Sequence, residues 1–103
     1  MDKLSALKDI LSQDPNNAFA RYGLAMELAS IGQISESLAE FDALVKANPD
    51  YSAGYFMAAQ TLASYGRNAE AIQKLRDGIA AATRTGNRHA ISEMQAMLDE
   101  LDR

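Results

Sequence analysis

Residues 25–32 read AMELASIG and residues 59–66 read AQTLASYG, so one pattern recurs after 34 positions. The same spacing separates Pro15 from Pro49. Self-similarity at a fixed period of about 20–50 residues is the signature of repeat proteins, in which each unit contacts mainly its neighbours. The 103-residue chain is therefore predicted to be a stack of repeated units without a single central core.

Each unit contains two runs of apolar residues at helical spacing. Residues 18–31 form the first run, and Gly32 follows where a left-handed residue can end a helix. Residues 35–47 form the second run, which stops before Pro49 because the residue preceding proline avoids helical dihedrals. The next unit repeats this plan, with predicted helices at 51–65 and 69–83. Asn16 and Asp50 are expected to cap the first helix of each unit.

This pattern resembles the tetratricopeptide repeat (TPR) family, whose 34-residue unit has the pattern W-x2-L-G-x2-Y, then A-x3-F, then P. The first-helix slots hold Arg21, Leu24, Ala25 and Leu28, and then Tyr55, Ala58, Ala59 and Leu62. The second-helix slots hold Ser37 and Phe41, and then Ala71 and Leu75. Arg21 replaces the family's Trp and Ala58 its Leu, so the resemblance rests on period, small residues and prolines. It implies an all-α fold, an α-solenoid of antiparallel helix pairs.

Both ends of the chain fit partial units. The slots of Leu38, Phe41, Leu44 and Val45 are matched, one period earlier, by Leu4, Leu7, Ile10 and Leu11. Residues 2–13 are therefore predicted to be a second-type helix without a first-type partner, and Lys3 occupies its small-residue slot.

At the other end, a first-type helix recurs at 88–102 after a shift of 36 rather than 34 residues, and the extra residues are placed in the turn at 83–87. The prediction is one domain, 1–103, with six helices. It consists of a half-repeat at 2–13, TPR units at 18–51 and 52–85, and a capping helix at 88–102.

The resemblance implies that the first helices of the units line a concave groove that binds a peptide or helix of a partner protein. The residues that map to this groove are Phe19, Tyr22, Met26, Ala53, Phe56, Met57, Gln60 and His89. Phe19 and Phe56 could instead be core residues, since helical spacing alone does not separate the two roles. The hydroxyl of Tyr22 favours a position near the surface. The chain is predicted to be an adaptor or scaffold without catalytic activity.

Self-association is the alternative function. The half-repeat has no first-type helix of its own, so the apolar side of Leu4, Leu7 and Leu11 could form a homodimer surface.

A second candidate site is electrostatic. The five bases Arg67, Lys74, Arg76, Arg84 and Arg88 face only two acids in the same stretch, within a chain of net charge −4. An acidic partner could bind there, and a solvated helix face is the simpler interpretation. Nucleic acid is not an expected partner, because aromatic residues are not interleaved and the whole chain is acidic.

Catalytic, metal and cofactor chemistry are not expected. The chain has no Cys and one His, so a zinc site lacks its usual ligands. His89, Ser92 and Asp99 would share one helix and so lack the convergent geometry of a catalytic triad. No apolar run is long enough to span a membrane, and the N-terminus has no secretory pattern. A soluble, cytoplasmic protein is predicted.

Gly23 and Gly78 fall inside predicted helices, where glycine costs about 1 kcal/mol relative to alanine. Close helix approach is the usual reason for such glycines. Gly78 is also expected to leave its helix lightly packed against the last one. Residues 88–102 are therefore predicted to exchange amide hydrogens faster than 35–47.

Overall fold

The computed structural model describes residues 2–103, which form six α-helices and no strands. The helices are α1 (Lys3–Gln13), α2 (Ala18–Ser30), α3 (Ile34–Ala47), α4 (Ser52–Ser64), α5 (Asn68–Thr85) and α6 (Arg88–Leu101). The predicted all-α class and the six helices are confirmed. Within this described range, no helix combines the length and apolar character that crossing a membrane requires.

The helices group into two compact units. The N-terminal unit contains α1–α3 and ends at Asn48, and the C-terminal unit begins at Pro49 and contains α4–α6. In the N-terminal unit, α2 packs against both α1 and α3. In the C-terminal unit, α5 packs against both α4 and α6. Each unit therefore has a central helix with a neighbour on either side.

Small residues set the approach of the paired helices within each unit. Ser37 of α3 is fully buried, and its hydroxyl donates a 2.7 Å hydrogen bond to the carbonyl oxygen of Ala25 in α2. The corresponding residues of the C-terminal unit, Ala59 and Ala71, are also fully buried. Lys3 holds the same slot in α1 and remains 75% exposed. A long side chain is tolerated there because no described helix of the unit covers it.

The loops before α2 and α4 are each held by the residue in the Trp slot of the repeat pattern. In the N-terminal unit, Arg21 donates through Nη2 to the Pro15 carbonyl at 3.0 Å and pairs with Glu40. In the C-terminal unit, the Tyr55 hydroxyl donates to the Pro49 carbonyl at 2.7 Å. A cation and a phenol thus make the same connection to the equivalent proline.

Two cap predictions are wrong by one residue. The cap of α2 is Asn17, not Asn16, and its side chain accepts a 2.9 Å hydrogen bond from the Ala20 N–H. Tyr51, not Asp50, holds the cap position of α4 and makes no side-chain cap bond. Asp50 instead accepts a 3.1 Å hydrogen bond from Arg84. Helix α4 begins one residue later than predicted, which leaves the Asp50 carboxylate beside α5.

The extra residues between the second unit and the last helix extend α5. This helix continues to Thr85 and ends at Gly86, which has a φ of +69°. The predicted turn at 83–87 is therefore shorter than expected, because residues 83–85 belong to α5.

Gly23 and Gly78 both lie at close helix contacts, as expected. A Cβ added to Gly78 would lie 2.5 Å from Met94 Sδ and 2.7 Å from Tyr55 Cβ. A Cβ added to Gly23 would lie 3.1 Å from Leu7 Cδ2. Met94 is 1% exposed, so the expectation of light packing at Gly78 is wrong. The missing side chain is the reason that α6 can approach α5 closely.

Gly23 and Gly78 are expected to respond to replacement by alanine with opposite signs. Gly78→Ala should lower the free energy of unfolding, because displacing Tyr55 Cβ costs about 1–3 kcal/mol and exceeds the helix-propensity gain. Gly23→Ala requires only the flexible end of Leu7 to move. It should therefore raise the free energy of unfolding by most of the helix-propensity difference of about 1 kcal/mol. Urea denaturation of both variants measures the difference. Equal changes in stability would contradict the packing described here.

Candidate functional pockets

The N-terminal unit has a concave pocket of about 440 Å³ between α1 and α2, called here the α1–α2 pocket. Its lining residues are Lys3, Leu7, Phe19, Tyr22, Gly23, Met26, Glu27 and Ser30. The residues from α2 recur every three or four positions, so they share one helix face. Gly23 has no side chain, and Leu7 of α1 reaches into this space. The pocket is thus an apolar depression with charged residues at one end.

Two aromatic residues in this pocket have different environments. Phe19 is 78% exposed, which rules out the core role that spacing had left open. Tyr22 is half-buried, and its ring meets the buried ring of Phe41 edge-on, with centroids 6.4 Å apart. Tyr22 therefore supports the interior as well as lining the pocket, whereas Phe19 is available to a ligand.

The charged end of the α1–α2 pocket contains Lys3 and Glu27. Lys3 Nζ lies 3.7 Å from Glu27 Oε2, with the side chains 75% and 22% exposed respectively. The adjacent Asp2 carboxylate accepts a 2.7 Å hydrogen bond from the Ser5 N–H, and this bond lowers the pKa of Asp2 below its usual value. Asp2 is thus fixed at the start of α1, while most of the Lys3 side chain is exposed to solvent.

The C-terminal unit has its own pocket of about 190 Å³ between α4 and α6, called here the α4–α6 pocket. Its lining residues are Ser52, Ala53, Phe56, Asn87, His89, Ala90, Glu93 and Met94. Half-buried Phe56 provides apolar surface in this pocket, whereas Met94 lines it from the interior and is 1% exposed. His89 Nε2 lies 3.3 Å from Glu93 Oε1 at the rim, and these side chains are 86% and 48% exposed.

The predicted groove residues divide between these pockets. Phe19, Tyr22 and Met26 line the α1–α2 pocket, and Ala53, Phe56 and His89 line the α4–α6 pocket. Met57 and Gln60 line neither, because the α4–α6 pocket is formed by the beginning of α4.

Sequence reasoning did not identify the remaining lining residues. Glu27 and Ser30 extend the helical spacing of Phe19, Gly23 and Met26, so this signal was available. Lys3 and Leu7 could not be found in that way, since their contribution depends on how α1 docks against α2.

The basic stretch in the C-terminal unit is largely paired with acids. Arg67 binds Glu70 through two 2.8 Å hydrogen bonds, which raise the pKa of Arg67 and lower that of Glu70. Further ion pairs join Arg76 to Asp102 and Arg84 to Asp50. Lys74 and Arg88 complete the predicted set. These contacts favour the solvated-face interpretation over a basic binding surface.

The described residues offer no cluster of three or more His, Cys, Asp or Glu side chains that could hold a metal ion. No buried side-chain N or O atom in residues 2–103 lacks a hydrogen bond.

Comparisons with known proteins agree with this fold. A tetratricopeptide repeat profile matches residues 4–60. A TPR repeat-containing protein of Pseudomonas aeruginosa is 29% identical over 100 residues, covering 97% of this chain and 95% of its own.

Solved structures are similar as well. A Bordetella parapertussis protein has a TM-score of 0.83 at 28% identity, covering 100% of this chain and 90% of its own. A tetratricopeptide repeat domain protein from Salinibacter ruber has a TM-score of 0.79 at 31% identity, covering 84% of this chain and 88% of its own. PcrH, crystallised with the chaperone binding region of PopD, has a TM-score of 0.86 at 17% identity, covering 96% of this chain and 75% of its own.

Proposed function

Because the chain belongs to the tetratricopeptide repeat family, whose members are generally non-catalytic interaction modules, we propose that it binds a peptide or helix of a partner protein. Exposed Phe19 in the α1–α2 pocket carries this proposal. Contiguous exposed apolar surface is uncommon on monomeric proteins and often marks an interaction site. The proposal retains the cytoplasmic setting and the adaptor or scaffold role expected from the sequence.

The residues around Phe19 suit this role. Aromatic and Met side chains are enriched at protein interfaces, because they combine a large contact area with adaptable packing. Met26 lies beside Phe19 and Tyr22 in the α1–α2 pocket, and half-buried Phe56 provides apolar surface in the α4–α6 pocket. PcrH, which shares the fold, was crystallised with a segment of another protein, so this architecture is compatible with such a ligand.

The test compares proteins captured from a lysate by the wild type, Phe19→Ala and Ile31→Ala. Ile31 is 51% exposed in the same unit and lies outside the α1–α2 pocket, which makes it a matched control. Wild type and Ile31→Ala should capture the same proteins, and Phe19→Ala should reduce their recovery about tenfold or more if Phe19 is an interface anchor.

Unchanged capture by folded Phe19→Ala would contradict the role of the α1–α2 pocket. Phe56→Ala tests the α4–α6 pocket in the same assay. Tyr22→Ala is unsuitable, because the Tyr22 ring packs against Phe41 and its removal affects folding.

Self-association through α1 is the second candidate. The apolar side predicted for this contact is largely covered, because Leu11 is 9% exposed and Leu4 and Leu7 pack against the core that α1 forms with α2. Ile10, which is 43% exposed, is the residue that favours a contact with a second copy. Light scattering over a range of concentrations tests it. A strict monomer at high micromolar concentration would contradict it.

A further inference from the structure

Building on the proposed function, we infer that both pockets select a partner segment that carries apolar anchor residues next to basic side chains. The two pockets are built from different helices, yet each combines an accessible aromatic residue with a glutamate. In the α1–α2 pocket these are Phe19 and Glu27, and in the α4–α6 pocket they are Phe56 and Glu93.

Each glutamate has a basic neighbour that is much more exposed than the glutamate itself. Glu27 is 22% exposed and its partner Lys3 is 75% exposed, with 3.7 Å between the charged atoms. This contact holds Lys3 weakly, because an exposed ion pair contributes little to stability and its formation costs the entropy of a flexible side chain. An incoming cation can therefore share or replace this contact with Glu27.

The same reasoning applies to the α4–α6 pocket. Glu93 is 48% exposed, and its partner His89 is 86% exposed and carries a charge only when protonated. A lysine or arginine of the ligand would supply a permanent charge at this rim.

The surrounding charge favours the same ligand. The chain carries 14 acids and 10 Lys or Arg residues, and Arg67, Arg76 and Arg84 are engaged by acidic partners. Charge complementarity accelerates association and disfavours segments of the wrong sign. An acidic segment with the same apolar anchors would be repelled by the carboxylate of Glu27 or Glu93. The partner is thus expected to present a basic amphipathic segment.

Two fluorescein-labelled synthetic peptides of about 15 residues test this selection. Both carry Leu and Phe at positions i, i+3, i+4 and i+7, and their polar positions are Lys in one and Glu in the other. Fluorescence anisotropy with the full chain should give a dissociation constant at least about tenfold lower for the Lys peptide.

A matched pair of double variants separates local from overall charge. The double variant Glu27→Gln with Glu93→Gln removes the pocket carboxylates. It should raise the dissociation constant of the Lys peptide about tenfold. Glu36→Gln with Glu100→Gln makes the same change in net charge at exposed positions outside both pockets, and it should leave binding nearly unchanged. Circular dichroism melts establish that both double variants are folded.

The outcomes are distinct. Preference for the Lys peptide, lost only in the pocket variant, supports the inference. Equal binding of the two peptides, preference for the Glu peptide, or equal weakening by both double variants overturns the inference while leaving a peptide-binding function in place. No binding of either peptide at high micromolar concentration counts against the proposed function as well.

Discussion

Replacing Phe41 with alanine is expected to lower the free energy of unfolding by about 3–5 kcal/mol. Phe41 is 1% exposed in α3, and its ring makes a T-shaped contact with the ring of Tyr22 in α2. Truncation removes this contact and leaves a cavity that the helices can refill only partly. Total stability for a domain of this size is about 5–15 kcal/mol, so the change is a large fraction of it.

Phe19→Ala is the matched control, because it makes the same chemical change at a side chain that is 78% exposed. Its stability should stay within about 0.5 kcal/mol of the wild type. Urea denaturation followed by circular dichroism measures both variants. A loss below about 1 kcal/mol for Phe41→Ala would contradict the buried packing of α2 against α3.

Met94→Ala is the second large perturbation, with an expected loss of about 2–5 kcal/mol. Met94 is the buried residue of α6, whereas α3 buries Ser37, Phe41 and Leu44. Local opening requires less free energy where fewer apolar contacts are buried. Amide exchange in residues 88–101 should therefore be faster than in α3, and Met94→Ala should accelerate it further.

Met97→Ala supplies the control for this helix, since Met97 is the same residue type in α6 and is only half-buried. Its effects on stability and exchange should be clearly smaller. If Met94→Ala leaves exchange in α6 unchanged, the contact of Met94 with the Gly78 region does not hold this helix in place.

The helices were predictable because their signals are local. Apolar spacing, Gly32 and the two prolines determine where helices begin and end to within two residues in most cases. The cap of α4 was not predictable to the residue, since Asp50 has two uses available, a cap and an ion pair with Arg84. Only the position of α5 decides between them.

The pockets were predictable in part for the same reason. Spacing placed Phe19, Tyr22 and Met26 on one face of α2, which the structure brings together. Spacing could not distinguish exposed Phe19 from half-buried Tyr22, because Tyr22 packs against Phe41 of the neighbouring helix. The contribution of Leu7 likewise depends on tertiary docking.

The ion pairs that hold the loops before α2 and α4 differ in their exposure to dissolved ions. Arg21 and Glu40 are 24% and 25% exposed, so salt screens their contact little. Arg84 and Asp50 are 54% and 57% exposed, so salt screens their contact more strongly. As ionic strength rises, the loop before α4 should therefore depend increasingly on the neutral hydrogen bond from Tyr55 to Pro49, while the loop before α2 should change less.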